Sequence, residues 1–144
     1  MKEEFVPYEE ALALRNLGFN ELCSHEYNLC DDEIILQYYE DGITNIDLEI
    51  LTDDINDENM ENEDINLIDP SFTAPLYQQA FKWFDKNTHF RGFITKSIEG
   101  NNFGWEVVDP QVKRKIVGEE YYYSRQEAEL ECLKQLIDIQ TNEG

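Results

Sequence analysis

The sequence predicts an α+β fold: a small, mainly antiparallel sheet packed against about three helices, with one long acidic loop. Three observations carry this. Three segments place apolar residues at helical spacing beside capping signals. Between them lie short runs rich in β-branched and aromatic residues, bounded by turn residues. The 144 residues, 41% apolar and 12% aromatic, suffice for one core and one domain spanning 1–144.

The first helix is predicted over about 7–17, in VPYEEALALRNLGF. Pro7 suits the first helical position, where a missing N–H costs nothing. Glu9 and Glu10 complement the helix dipole. Ala11, Leu14 and Leu17 follow the helical period, and Gly18 followed by Phe19 reads as the C-terminal stop. Glu33–Tyr39 reads as a strand ending at Asp41-Gly42, and residues 23–30 as a preceding strand paired with it through Asp31-Asp32. Ile46, Leu48, Ile50 and Leu51 extend the strand reading. Residues 53–64, within an acidic loop over about 53–69, have the composition of a solvated segment.

A second helix is read from TAPLYQQAFKWFDKN, with Thr73 as N-cap and Pro75 in its first turn. FRGFITKSI and NFGWEVVD flank Glu99–Asn102 as a hairpin. KIVGEEYYY follows as a further strand. Ser124-Arg125-Gln126-Glu127 is a capping box opening a last helix to about 140, with Ala128, Cys132, Leu133, Leu136 and Ile137 on one face. The expected core is Leu14, Leu17, Ile35, Tyr77, Phe81, Phe84, Ile94, Trp105, Leu133 and Ile137.

Charge is the most distinctive property. The net charge is −21, from 32 acidic and 11 basic residues. Residues 16–81 hold seventeen acids and no Lys or Arg, whereas 82–144 hold eleven acids and nine bases. Such a field repels phosphate backbones and anionic lipid, which argues against direct nucleic-acid or membrane binding. It attracts a protein with a basic surface. Asp53, Asp54, Asp57, Glu58, Glu61, Glu63 and Asp64 are the candidate interaction residues. An ordered array of their carboxylates could imitate nucleic-acid phosphates, whereas the bland alternative is a solubilising loop.

The chemical motifs are weak. Cys23-x-His25-x4-Cys30 is the nearest approach to a metal-ligand spacing, but the second short-spaced pair usual for zinc is missing, although His89 could supply a fourth ligand. Calcium loops need a turn glycine, and none occurs between Gly42 and Gly92. Cys30 or Cys132 with His25 or His89 is a formal nucleophile–base pair without a catalytic signature. No phosphate-binding loop is present. Tyr38-Tyr39 and Tyr121-Tyr122-Tyr123 read as strand tyrosines, one side of each run facing outward. Three cysteines do not make a disulfide framework, and MKEEFVPYEE lacks the apolar core of a signal peptide. A reducing cytoplasm is the expected setting. No catalytic residue, metal or cofactor is expected.

VPYEEALALRNLGF, TAPLYQQAFKWF and YYYSRQEAELECLKQLIDI together resemble a family of small proteins associated with phages, prophages and mobile regions of Bacteroidetes-type bacteria. The likeness covers about a third of the chain. It implies a phage or prophage setting in a bacterial host and carries no residue role. The resulting expectation is a non-enzymatic accessory protein that binds a host or phage protein through its acidic side, blocking a host nucleic-acid-handling or defence protein. Alternatives are a homo-oligomeric structural or assembly protein using the tyrosine strands, and a ligand-binding protein or enzyme with a pocket near Cys30, His25 and His89.

Overall fold

The computed structural model describes residues 4–30, 33–50, 71–97 and 99–143. The candidate residues Asp53, Asp54, Asp57, Glu58, Glu61, Glu63 and Asp64, and the acidic loop that holds them, lie outside the described residues. The α+β class is as the sequence predicts. The strands form two three-stranded antiparallel sheets, and the chain divides into two compact units, Pro7–Pro75 and Met1–Val6 with Leu76–Gly144.

In the Pro7–Pro75 unit, helix α1 spans Tyr8–Asn16. Pro7 occupies the N-cap rather than the first helical position. At the other end, Gly18 takes φ +102°, its N–H donates to Arg15 O, and the Phe19 N–H donates to Leu14 O at 3.0 Å. This closure requires a left-handed residue, and it turns Phe19 into the core at 1% exposure. Strand β1 (Cys23–Cys30) pairs antiparallel with β2 (Glu33–Ile43), from Cys30 opposite Glu33. The hairpin across residues 31–32 is the pairing the sequence suggests.

Residues 45–50 form a helical segment, α2, where the sequence reading extends a strand. The cause is a capping box: the Thr44 N–H donates to Asp47 Oδ2 and the Asp47 N–H to Thr44 Oγ1, at 3.3 and 3.2 Å. A strand would put Ile46, Leu48 and Ile50 on one face. The helix buries Leu48 and leaves Ile46 and Ile50 out, at 50% and 54% exposure. Strand β3 (Phe72–Thr73) joins the other side of β1, giving the order β2-β1-β3. Thr73 is therefore not a helix cap. It pairs with Glu26, and its N–H donates to Asn45 Oδ1 at 2.9 Å. Asn45, buried at the start of α2, also donates from Nδ2 to Phe19 O at 2.8 Å. One amide thus ties the end of α1 to β3, satisfying two main-chain groups that would otherwise be buried unpaired. Tyr8 packs edge-on to Tyr27, with ring centroids 5.7 Å apart, and lies 4.9 Å from the Phe72 ring.

In the second unit, helix α3 (Tyr77–Asn87) begins four residues after Thr73. Gln79 Oε1 accepts the Leu76 N–H at 2.9 Å and so closes its first turn. Strands β4 (Arg91–Lys96), β5 (Phe103–Asp109) and β6 (Arg114–Val117) form a meander in that order. The predicted hairpin turn is present, with the Gly100 N–H donating to Ser97 O and φ +77° at Gly100. β6 is shorter than KIVGEEYYY. It ends at Val117; the Gly118 N–H still donates to Trp105 O at 3.0 Å, and Tyr122 then rejoins β5 in two bonds with Phe103. Tyr121 and Tyr123 point out at 57% and 89% exposure, while Tyr122 is half-buried.

Helix α4 (Arg125–Glu143) opens on the expected cap, with the Glu127 N–H donating to Ser124 Oγ at 3.2 Å. Ala128, Cys132, Leu133 and Leu136 are fully buried. Leu14, Tyr77, Phe84 and Leu133 of the expected core are buried, and Leu17, Phe81, Ile94, Trp105 and Ile137 are half-buried. Ile35 is the exception, at 43% exposure. No helix among the described residues is long and apolar enough to cross a membrane.

Candidate functional site

The two units divide the charge very unequally. Residues 7–75 hold nineteen Asp and Glu against Arg15 alone, a net charge of −18. The rest of the chain holds thirteen acids and ten bases, a net −3. In the acidic unit Arg15 lies 3.9 Å from Glu49, so the unit's single guanidinium already has a carboxylate beside it.

The surface of this unit that stands out is β2. It forms an edge of its sheet, and β3 backs β1 only at Glu26 and Tyr27. Residues 28–30 and 33–35 are therefore a two-stranded ribbon. Among the described residues no further strand joins this ribbon, and its apolar side chains are exposed on both faces. Ile34, Ile35, Leu36 and Tyr38 are 53%, 43%, 39% and 62% exposed. Glu33, Glu40 and Asp41 are exposed at the two ends of the same strand. The clue in the sequence is the uninterrupted Ile34-Ile35-Leu36. A half-buried strand alternates, whereas consecutive apolar residues put apolar groups on both faces.

Beneath the strand, Glu26 is 3% exposed. Its Oε1 accepts from the Tyr39 hydroxyl at 2.6 Å, and its Oε2 finds no hydrogen-bond partner among the described residues. Burial raises the Glu26 carboxyl above the usual carboxylate range, against the opposing pull of the Tyr39 bond. Burial, and then the same bond, push the Tyr39 phenol up to about 12. The pair anchors β2 to β1 next to the exposed Tyr38, whose ring lies 5.3 Å from that of His25. Ser24 Oγ lies 2.7 Å from His25 Nδ1.

Neither of the described cysteine side chains, Cys23 and Cys132, is an activated thiol. Cys23 and Cys30 stand at opposite ends of β1, separated by about 23 Å at the usual strand rise. Ligands of one zinc ion lie about 4 Å apart. Cys23 is buried, and burial raises its thiol to about 11. Cys132 is likewise raised to about 12. At neutral pH both are protonated and poor nucleophiles. His25 belongs to the acidic unit, and His89 is an exposed residue of the other. Among the described residues no group of three His, Cys, Asp or Glu could hold a metal ion.

The second unit carries an open cavity of about 750 Å³ that sequence reading did not anticipate. Tyr77 and Phe81 of α3 and Phe93 and Ile94 of β4 line it, with Lys82 and Arg125 on its rim. Glu4 and Glu129 offset those two cations, and Arg125 Nε lies 3.8 Å from Glu129 Oε1. Gly92 of β4 also lines it. No family model, curated protein or solved structure matches the chain.

Proposed function

We propose that the chain is a non-enzymatic accessory protein that binds another protein through its acidic unit, and that the partner presents a basic surface. In the concrete form, the carboxylates take the place of nucleic-acid phosphates in the basic groove of a host nucleic-acid-handling or defence protein. A phage or prophage setting belongs to the same reading and rests on the resemblance alone. The observation that supports it is the segregation of charge, −18 within residues 7–75 and −3 elsewhere. A field of one sign over one unit steers a basic partner at long range and weakens with salt.

The test is retention of bacterial lysate proteins on the immobilised chain. Basic nucleic-acid-binding proteins should be held at low salt, released by about 0.5 M NaCl as screening shortens the range of the field, and displaced by duplex DNA. A variant with Glu33, Glu40 and Asp41 changed to Lys should retain less. If nothing is retained in a salt-sensitive way, the reading fails.

A second reading, small-ligand binding, draws on the cavity between α3 and β4. Its 750 Å³ is within the range of ligand sites. Saturation-transfer screening of aromatic fragments against Phe81→Ala would decide it.

A further inference from the structure

We propose that β2 takes up an extended basic segment of the partner as an added strand, so that main-chain pairing supplies the register that charge alone cannot. The inference rests on the acidic-unit reading above and names how its partner is recognised. β2 runs for eleven residues, Glu33–Ile43, at the edge of its sheet. In an antiparallel pair, alternate residues turn their N–H and C=O away from the partner. With β1 on one side, those groups of β2 face outward, and no strand among the described residues meets them.

Proteins usually blunt such an edge by shortening it, by lysine or proline, or by a bulge. β2 contains neither lysine nor proline. Its one irregularity in register lies toward the Cys23 end, leaving the pairing of residues 33–38 regular. Along one face run Ile34, Leu36 and Tyr38, exposed at 53%, 39% and 62%. Carboxylates stand at both ends, Glu33 at one and Glu40 and Asp41 at the other.

These features select the occupant. A second copy of the chain, paired antiparallel, would set acidic ends against acidic ends, and the acidic unit of each copy carries −18. Like charges across a strand pair are unfavourable. A segment with apolar residues at three alternate positions and Lys or Arg at each end satisfies the row and both acidic ends together. Strand addition then provides affinity through the main chain and selectivity through alternate side chains.

The probe is a capped peptide with valine at three alternate positions, threonine between them and lysine at both ends. Titration calorimetry is run beside amide hydrogen exchange of the full chain. Strand addition predicts slowed exchange at every second amide of residues 33–38. N-methylating the peptide at alternate amides should weaken binding about tenfold on the face that pairs and hardly at all on the other. Ile34→Ser with Tyr38→Ser keeps the charge and should also weaken it about tenfold. Both residues are solvent-exposed, and circular dichroism confirms that the variant folds. If the peptide binds with equal strength in every methylated form and no amide is protected, strand addition is overturned while the acidic-surface reading stands. Loss of all salt-sensitive binding to basic proteins would remove both. Light scattering that shows a dimer protecting the same amides would make a second copy the occupant and also overturn the proposal.

Discussion

A buried acid beside a buried phenol sets the pH response of the acidic unit. Glu26 is raised above the usual carboxylate range, chiefly by burial. The folded state therefore holds its proton more tightly than the unfolded chain. Stability from this group is fully present below the ordinary carboxylate value and is lost as pH rises through the raised one. Glu26→Gln keeps the shape and an acceptor for the Tyr39 hydroxyl but cannot ionise. Urea unfolding followed by circular dichroism should show wild-type stability falling as pH rises above the ordinary carboxylate value of 4.5, with that part of the slope absent in the variant. An unchanged slope would mean that Glu26 is not the group responsible. The motif is hard to read from sequence, because Glu26 looks like one more acid among thirty-two. It is buried where β1 pairs with both β2 and β3.

At the scale of elements, Gly92 decides how closely two helices approach β4. A Cβ there would stand 2.9 Å from Cys132 Sγ and Leu136 Cδ1 of α4, and 3.0 Å from Phe81 Cε1 of α3. Cys132 and Leu136 are fully buried and Phe81 half-buried, so the added methyl crowds α4 above all. Gly92→Ala should cost about 1–3 kcal/mol and lower the melting temperature by several degrees in differential scanning calorimetry. An unchanged melting temperature would show that the helices yield freely. The elements differ in how far the sequence foretold them. α1 and α4 carry their stop and start signals locally, in Gly18 and Ser124, and both signals operate as read. α2 also has a local signal, Thr44-x-x-Asp47. Alternating Ile46, Leu48 and Ile50 hid it, because period two favours a strand until the cap is noticed. Thr73 has the chemistry of a cap, yet Asn45 and Glu26 engage its backbone first.

For the whole molecule, charge and architecture coincide. Among the described residues, the unit of net charge −18 has one ion pair, Arg15–Glu49. The near-neutral unit has four, including Arg91–Asp85 at 2.7 Å and Lys115–Glu106 at 3.1 Å. Self-repulsion thus falls on one unit. Raising NaCl from low salt to about 0.5 M should screen it. Amide exchange in β1 and β2 should slow, while that in β4 and β5 changes little. Equal responses would show that the charge asymmetry does not govern local stability. Screening should also weaken any basic partner's hold, so salt is expected to stabilise the unit and loosen its complex together.

By itself the sequence determined the fold class, the positions of α1, α3 and α4 to within a few residues, both hairpins and the acidic block. Those properties reside in composition, periodicity and short-range caps. Tertiary structure decided the division into two sheets, the burial of Glu26, the helix at 45–50 and the exposure of Ile34, Ile35 and Leu36. Each of these depends on which strands find a covering layer. Among the described residues the short β3 backs only the middle of β1, and the apolar run of β2 is exposed where such a run would otherwise mean core.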